Sequence, residues 1–336
     1  MAQLLGLIIL SAFITIILLI PFIDFLYRIK LRRKHQLTKD FQNNRTHIFD
    51  KFNTWKVGTP FGGGILIILV VVAITLWSYV MLGIVTNPWE NFVIIFTFVG
   101  FGLLGLYDDI KKLTNVKTGF FGLRIRYKLI LQFIIALIVS VVLFYQLGYS
   151  TIYIHGIRSI NLSYVYIPFA ALIIVSFANA FNITDGLDGL APGLFLICLL
   201  AFLAITSSSY LDKSLGIFIA VLIGSVAAFL YFNVYRARIW LGDVGSMSLG
   251  ASLAIIGLLT DKTLALAVIG GFFVFEVASS LLQLLSKRFL KKKLFTVAPL
   301  HLYLLHRGWE EPKIVMRAWL IGFFFAVLGL YLALGK

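Results

Sequence analysis

Long apolar runs alternate with short polar breaks along the whole of this 336-residue chain. A helix needs about 20 apolar residues to cross a hydrocarbon core. Ten runs approach that length, at roughly 3–23, 61–86, 91–107, 127–147, 163–181, 190–206, 213–235, 243–260, 262–286 and 315–335. The pattern predicts an all-α polytopic membrane protein of about ten transmembrane helices, with residues 1–336 as a single integral membrane domain. The first run starts at residue 3 with no basic segment before it and no small-residue cleavage site after it, so it reads as a retained span. Between runs four and five, the segment 149–162 (YSTIYIHGIRSINL) alternates in polarity around His155 and Gly156. It predicts a short β-hairpin on the outer face, with His155 a solvated turn residue.

Charge turns this pattern into a topology. The loop 28–57 holds nine Lys or Arg, 108–128 six, 236–242 two and 287–317 eight, which is 25 of the 29. Only Arg158, Lys213, Lys262 and Lys336 lie on the opposite side. Basic loops stay in the cytoplasm, so both termini are expected outside. Five cytoplasmic segments, at about 24–60, 108–126, 182–189, 236–242 and 287–314, would then form one face. The net charge of +15 is spent on topology and on attraction to anionic lipid. A nucleic-acid partner would need a soluble basic face, which a chain 60% hydrophobic does not offer. A single cysteine, Cys198, lies in an apolar run and excludes both an intramolecular disulfide and a Cys-rich metal site.

Against this basic background the acidic residues stand out, because only 14 exist and they are unevenly placed. Asp108 and Asp109, Asp185 and Asp188, and Asp243 fall in breaks that the charge pattern assigns to the cytoplasmic face. Carboxylates beside a bilayer are expensive, so their gathering on one face points to ions or chemistry.

Each break has its own signature. In YDDIKKL the adjacent carboxylates repel, so a cation or metal is expected between them, with Lys112 one turn on. A solvated helix end with an Asp108–Lys112 pair is the alternative. Lys128 reads as an interface lysine or a partner for anions. NAFNITDGLDGLAPG sets Asn179 and Asn182 one turn apart at a helix end, before two Asp-Gly pairs. Its glycines permit close backbone approach by a ligand, and the following helix N-terminus favours anions. FNVYRARIWLGDVGSMSLG ends one span at Asn233 and starts the next at Asp243, between Gly242 and Gly245. A lone carboxylate in that setting suits Mg²⁺, which keeps several waters; an N-cap is the alternative. Trp240 offers either a face for a base or an interfacial anchor. KVGTPFGGG (56–64) is no Walker motif, and in 287–317 His301 and His306 are spaced too poorly to share a metal on one helix face. Glu276 lies inside a span and should face the bundle interior.

Together these segments resemble the phospho-N-acetylmuramoyl-pentapeptide transferase family of the polyprenyl-phosphate sugar-1-phosphate transferase superfamily, over about Lys56 to Trp319. KVGTPFGGG is similar to the family's KxGTPxxGG, YDDIKK to its DDxxK, and NITDGLDGLA and GDVGSMSLG match almost residue for residue. APLHLYLLHRGWEEPKIVMRAW resembles the histidine-rich segment that follows them. Here His301-Leu302-Tyr303 stands where the family has three histidines, Phe61 stands at a hydroxyl position, and the first cytoplasmic loop is longer.

The resemblance implies transfer of phospho-MurNAc-pentapeptide from a UDP-sugar donor to undecaprenyl phosphate, with Mg²⁺ as cofactor and Mn²⁺ as a substitute. It implies the bacterial cytoplasmic membrane as location, a cytoplasmic active site and a homodimer. Carried over residue by residue, Asp108, Asp109, Asp243 and His301 are the catalytic candidates. Asp243 is the metal ligand, with Asp108 and Asp185 as further candidates. Lys56, Thr59, Lys112, Lys128, Asn179, Asn182, Asp185, Gly186, Leu187, Asp188, Asn233 and Trp240 are the substrate-binding candidates. Two other readings stay open at this point. A sister-branch enzyme would use UDP-GlcNAc or a related donor. An ion-coupled transporter would set its charges at midplane depth in broken helices, whereas here all the clustered carboxylates except Glu276 lie at span ends.

Overall fold

The computed structural model describes residues 1–29, 31, 56–83, 87–114, 123–154, 157–208 and 213–335. Most of the basic loop 28–57 and the hairpin residue His155 lie outside them. The helices are α1 (Ala2–Arg28), α2 (Gly63–Met81), α3 (Pro88–Thr114), α4 (Ile125–Tyr145), α5 (Tyr166–Thr184), α6 (Leu190–Ser208), α7 (Lys213–Asn233), α8 (Gly242–Leu259), α9 (Thr263–Ile269), α10 (Gly271–Leu285), α11 (Leu300–His306) and α12 (Glu311–Leu334). Among the described residues nine helices are long and apolar enough to cross a membrane, or ten if the bent pair α9–α10 counts as one span.

Helices α7 and α8 form the centre, and the others wrap them with apolar faces turned outward. In α1 the buried positions Leu7, Ser11, Thr15, Leu19 and Ile23 recur every four residues, a single ridge, while Ile9 and Phe13 between them are exposed. That is the pattern of a helix packed on one side and solvated by lipid on the other. Lipid tails supply no hydrophobic drive between helices, so close backbone approach must hold them. Small residues provide it. Gly224 of α7 receives Ser11 and Ile8 of α1, Gly64 of α2 meets the backbone of Gly245 in α8, and Gly105 of α3 lies against the Asp243 carbonyl.

Two sequence expectations change in detail. Helix α3 continues past the expected end at 107 to Thr114, so Asp108 and Asp109 sit on helix, with Lys112 on the same face. The expected ninth span at 262–286 is broken by 78° at Gly270. A Cβ there would meet the Phe177 ring at 2.7 Å and the Leu266 carbonyl at 3.1 Å, so glycine is what lets the chain turn against α5.

The hairpin forms as expected. Strand β1 (Thr151–Ile154) pairs antiparallel with β2 (Ile157–Asn161), Thr151 opposite Asn161. The segment leading into it is tied to the C-terminal end of α8 by Tyr149 Oη donating to the Leu259 carbonyl at 2.7 Å. The polar breaks gather at the other end of the bundle, where α3, α5 and α7 finish and α2, α4, α6, α8 and α12 begin.

Gly105 tests this packing. A Cβ would come within 2.5 Å of the Asp243 carbonyl carbon and 2.6 Å of Val244 N, both backbone atoms that cannot move aside. Gly105→Ala is expected to cost about 1–3 kcal/mol of stability. Thermal unfolding in detergent should show a lowered midpoint, and an unchanged midpoint would contradict the close α3–α8 approach.

Candidate active site

Helical spacing builds the first cluster. Asp108 and Lys112 are four residues apart on α3 and Asp109 and Lys112 three, so one ammonium reaches both carboxylates. Lys112 Nζ lies 3.3 Å from Asp108 Oδ2 and 3.4 Å from Asp109 Oδ1. It is also 2.7 Å from Oδ1 of Asp243, in the first turn of α8. Lys128, in the first turn of α4, reaches Asp243 Oδ2 at 2.6 Å and Asp108 Oδ2 at 3.0 Å. Backbone donors complete the set: Leu123 N–H to Asp108 Oδ1 at 2.6 Å and Val244 N–H to Asp109 Oδ2 at 3.2 Å. Three carboxylates and two ammoniums thus interlock, leaving one formal negative charge. An apolar crevice formed by Leu31, Phe61, Ile65, Leu106, Ile110 and Val244 opens against Asp109.

A second cluster centres on Lys56 and Asp188. Lys56 Nζ, buried, lies 2.7 Å from Glu311 Oε1 and 3.2 Å from Asp188 Oδ1, and donates to the Gly186 carbonyl at 3.3 Å. Asp188 accepts from Trp240 Nε1 at 3.2 Å and from Ala237 N–H at 2.9 Å. The start of α6 would otherwise leave backbone N–H groups unpaired. Instead Asp188 N–H donates to Glu311 at 2.7 Å, and Gly189 N–H donates to Asn233 Oδ1 at 3.1 Å. Three distant segments therefore staple the Asp-Gly loop into one shape.

The two clusters share a backbone ladder. Trp240 N–H donates to the Pro60 carbonyl at 3.0 Å, Gly63 N–H to the Trp240 carbonyl at 2.9 Å and Gly64 N–H to the Leu241 carbonyl at 3.0 Å. Glycine is required here: Gly62 has φ 108° and Gly242 φ 74°, and a Cβ on Gly242 would sit 2.7 Å from Asp109 Oδ2. The KVGTPFGGG run is thus the strand-like brace of the Asp243 loop.

His301 lies on the short helix α11, wholly buried, with Nδ1 3.0 Å from Glu276 Oε2 and its N–H donating to Glu276 Oε1 at 3.1 Å. Its Nε2 points at Gly186, where no Cβ could fit. Leu302 is buried, Tyr303 half-buried and His306 exposed, so this segment turns a single imidazole toward the Asp-Gly loop. A layer of amides lies beneath the first cluster: Asn179 Nδ2 donates to Gln132 Oε1 and Asn182 Nδ2 to Ser246 Oγ, each at 2.7 Å.

Most of the predicted residues fall in two adjoining groups, one around Lys56 and Asp188 and one around Lys112, Lys128 and Asp243. Lys56 belongs with Asp188, apart from Lys112 and Lys128. Asp185, a candidate metal ligand, caps α5 beside Gly186, and Leu187 is buried. Thr59 is half-buried in the turn that closes on the Lys56 carbonyl at 3.3 Å. Sequence reasoning missed Glu311, Gln132 and Trp319, whose Nε1 donates to the Gly189 carbonyl at 3.2 Å. Glu311 had a signal, since an acidic residue beside Pro312 at a helix start is a helix-initiating pattern. Gln132 lies one turn from Lys128, inside an apolar run.

The glycosyl transferase family 4 model matches residues 91–261. A phospho-N-acetylmuramoyl-pentapeptide-transferase from Geobacillus sp. (strain WCH70) is 36% identical over 327 residues, 97% of this chain and 96% of that protein. One from Rickettsia massiliae (strain Mtu5) is 40% identical over 295 residues, 82% of this chain and 80% of its own. A third, from Caldanaerobacter subterraneus subsp. tengcongensis, is 38% identical over 268 residues, 79% and 81% of the two chains.

Glu311 is the keystone of the second cluster, and removing it leaves a buried ammonium and a backbone N–H short of an acceptor. Glu311→Ala is expected to cost about 3 kcal/mol. Thermal unfolding should detect it, and a fully stable variant would show that the Lys56–Asp188 pair stands without Glu311.

Proposed function

The chain belongs to the phospho-N-acetylmuramoyl-pentapeptide transferase family, and from that premise we propose how its residues divide the work of the reaction. It moves phospho-MurNAc-pentapeptide from UDP-MurNAc-pentapeptide to undecaprenyl phosphate, giving lipid I and UMP. An oxygen of the lipid phosphate forms a bond to the sugar-side phosphorus of the donor, and the bond from that phosphorus to the bridging oxygen breaks, so UMP leaves.

Two anions must meet for this to happen, and their repulsion is the main barrier the site has to lower. Lys112 and Lys128 supply positive charge where they meet. The observation that carries the reading is the sharing of Asp243 between these lysines, at 2.7 and 2.6 Å. Asp109, beside the apolar crevice, faces the lipid phosphate and with Asp108 takes its proton. Both carboxylates accept backbone N–H and ammonium bonds that fix their orientation toward the acceptor, and attack by the lipid phosphate itself is the simpler route.

Among the described residues no group of three or more His, Cys, Asp or Glu is arranged to hold a metal ion. Mg²⁺ needs few protein oxygens because it keeps several waters, and Asp243 and Asp108 meet at one ammonium, that of Lys128, at 2.6 and 3.0 Å. Asp243, with Asp108, would hold the ion, which when bound neutralises charge on the pyrophosphate; Mn²⁺ would take the same oxygens. Asn179, Asn182, Asp185, Asp188, Asn233 and Trp240 form the nucleotide pocket, with Gly186 and Leu187 shaping its loop. Lys56 and Thr59 border the pyrophosphate, and His301, oriented by Glu276, contacts the pyrophosphate or sugar.

The whole chain acts as one membrane domain in the bacterial cytoplasmic membrane. The basic-residue bias supports a cytoplasmic site and external termini, and a homodimer is the expected assembly. A lipid-borne acceptor explains why the site lies at span ends: its phosphate stays at the headgroup level while its tail stays in lipid.

Donor choice tests the assignment to this branch. Purified protein with undecaprenyl phosphate and Mg²⁺ should release UMP from UDP-MurNAc-pentapeptide and leave UDP-GlcNAc untouched. Release from UDP-GlcNAc alone would move the chain to the sister branch despite its relatives, with His301-Leu302-Tyr303 as the departure responsible.

A further inference from the structure

Gln132 lies on α4 one turn below Lys128 and is wholly buried. Its partner, Asn179 on α5, has an amide whose orientation can be read from the backbone outward. Asn179 Nδ2 lies 2.8 Å from the Val175 carbonyl and 2.7 Å from Gln132 Oε1. A carbonyl can only accept, so the Asn179 atom beside Val175 must be the nitrogen. That nitrogen has two protons and the second points at Gln132, so the glutamine atom it meets must be the oxygen. Both protons are then committed, and half-buried Asn179 has only its carbonyl oxygen left to offer, on the helix face it shares with Asn182.

This arrangement carries a cost. Gln132 Nε2 is a buried donor with no partner among the described residues, which an apolar side chain of the same size would avoid. We infer that Gln132 is a positioning residue: it takes the amide proton of Asn179 that the Val175 carbonyl leaves over, so that Asn179 presents only an acceptor to the nucleotide. Asn179 would then receive an N–H or O–H from the uridine, in place of donating to a phosphate. The inference rests on the reading of Asn179 as part of the nucleotide pocket.

A double-mutant cycle on UMP affinity, measured by calorimetry on the full chain in detergent, tests it. Gln132→Met should weaken UMP binding about tenfold, the worth of one hydrogen bond. In the Asn179→Ala background the same change should alter affinity less than about twofold. Gln132→Glu, which keeps the accepting oxygen, should restore binding to within about threefold of the unmodified chain. Equal losses in both backgrounds would make Gln132 merely structural and overturn the inference, as would no loss in either. Should Gln132→Met fail to fold, Gln132→Thr, too short to reach Asn179, takes its place in the cycle. The parent reading fails separately: it falls if the unmodified chain neither binds UMP nor releases it from the pentapeptide donor.

Discussion

Asp243 held between Lys112 and Lys128 is the interaction on which the rest of this molecule depends. A carboxylate at the start of a helix near a bilayer is costly unless opposite charge lies close. Here two ammoniums answer it; Lys112 also reaches Asp108 and Asp109 of α3, and Lys128 also reaches Asp108. The interlocked set joins the end of α3, the start of α4 and the start of α8, so displacing one helix would strand charge contributed by the others. Such a network is strong where water is scarce.

Bringing those helix ends together is a packing problem that glycine solves. Gly105 lets α3 close on the carbonyl of Asp243 itself, and Gly64 and Gly245 let α2 reach α8. The brace from Pro60 to Gly64 then hydrogen-bonds along Trp240 and Leu241, fixing the loop that carries Asp243. The same loop ties Trp240 to Asp188, so the carboxylate–lysine cluster and the Lys56–Asp188–Glu311 cluster are parts of one rigid surface. A site built on helix ends and a braced loop is preorganised, which electrostatic catalysis of an encounter between anions requires.

The sequence made much of this legible because membrane constraints are strong. Apolar run length gave the helices and placed the three acidic breaks at one end of the bundle. The hairpin at 151–161 was visible from its alternation, and the five ordered motifs pointed to the family that the relatives share. Other features were hidden for physical reasons. Nothing in an apolar run marks a 78° bend, since Gly270 acts through its close approach to Phe177 and the Leu266 carbonyl. Helix α3 runs past its apolar stretch because Asp108, Asp109 and Lys112 compensate one another's charge within one turn, a local pairing that apolar run length does not register. Partners distant in sequence, such as Lys56 with Glu311 and Gln132 with Asn179, leave no local signal, so which carboxylate each lysine would meet was illegible.

We propose that the shared Asp243 carboxylate organises charge for the transfer, beyond holding the fold. The most direct test is UMP release by Asp243→Asn, an isosteric change that removes the charge, alongside thermal unfolding of the same preparation. The expected result is a folded membrane protein whose rate falls at least about a thousandfold, as for loss of a principal electrostatic group. A folded variant that retains a substantial rate would contradict it and take Asp243 out of the reaction.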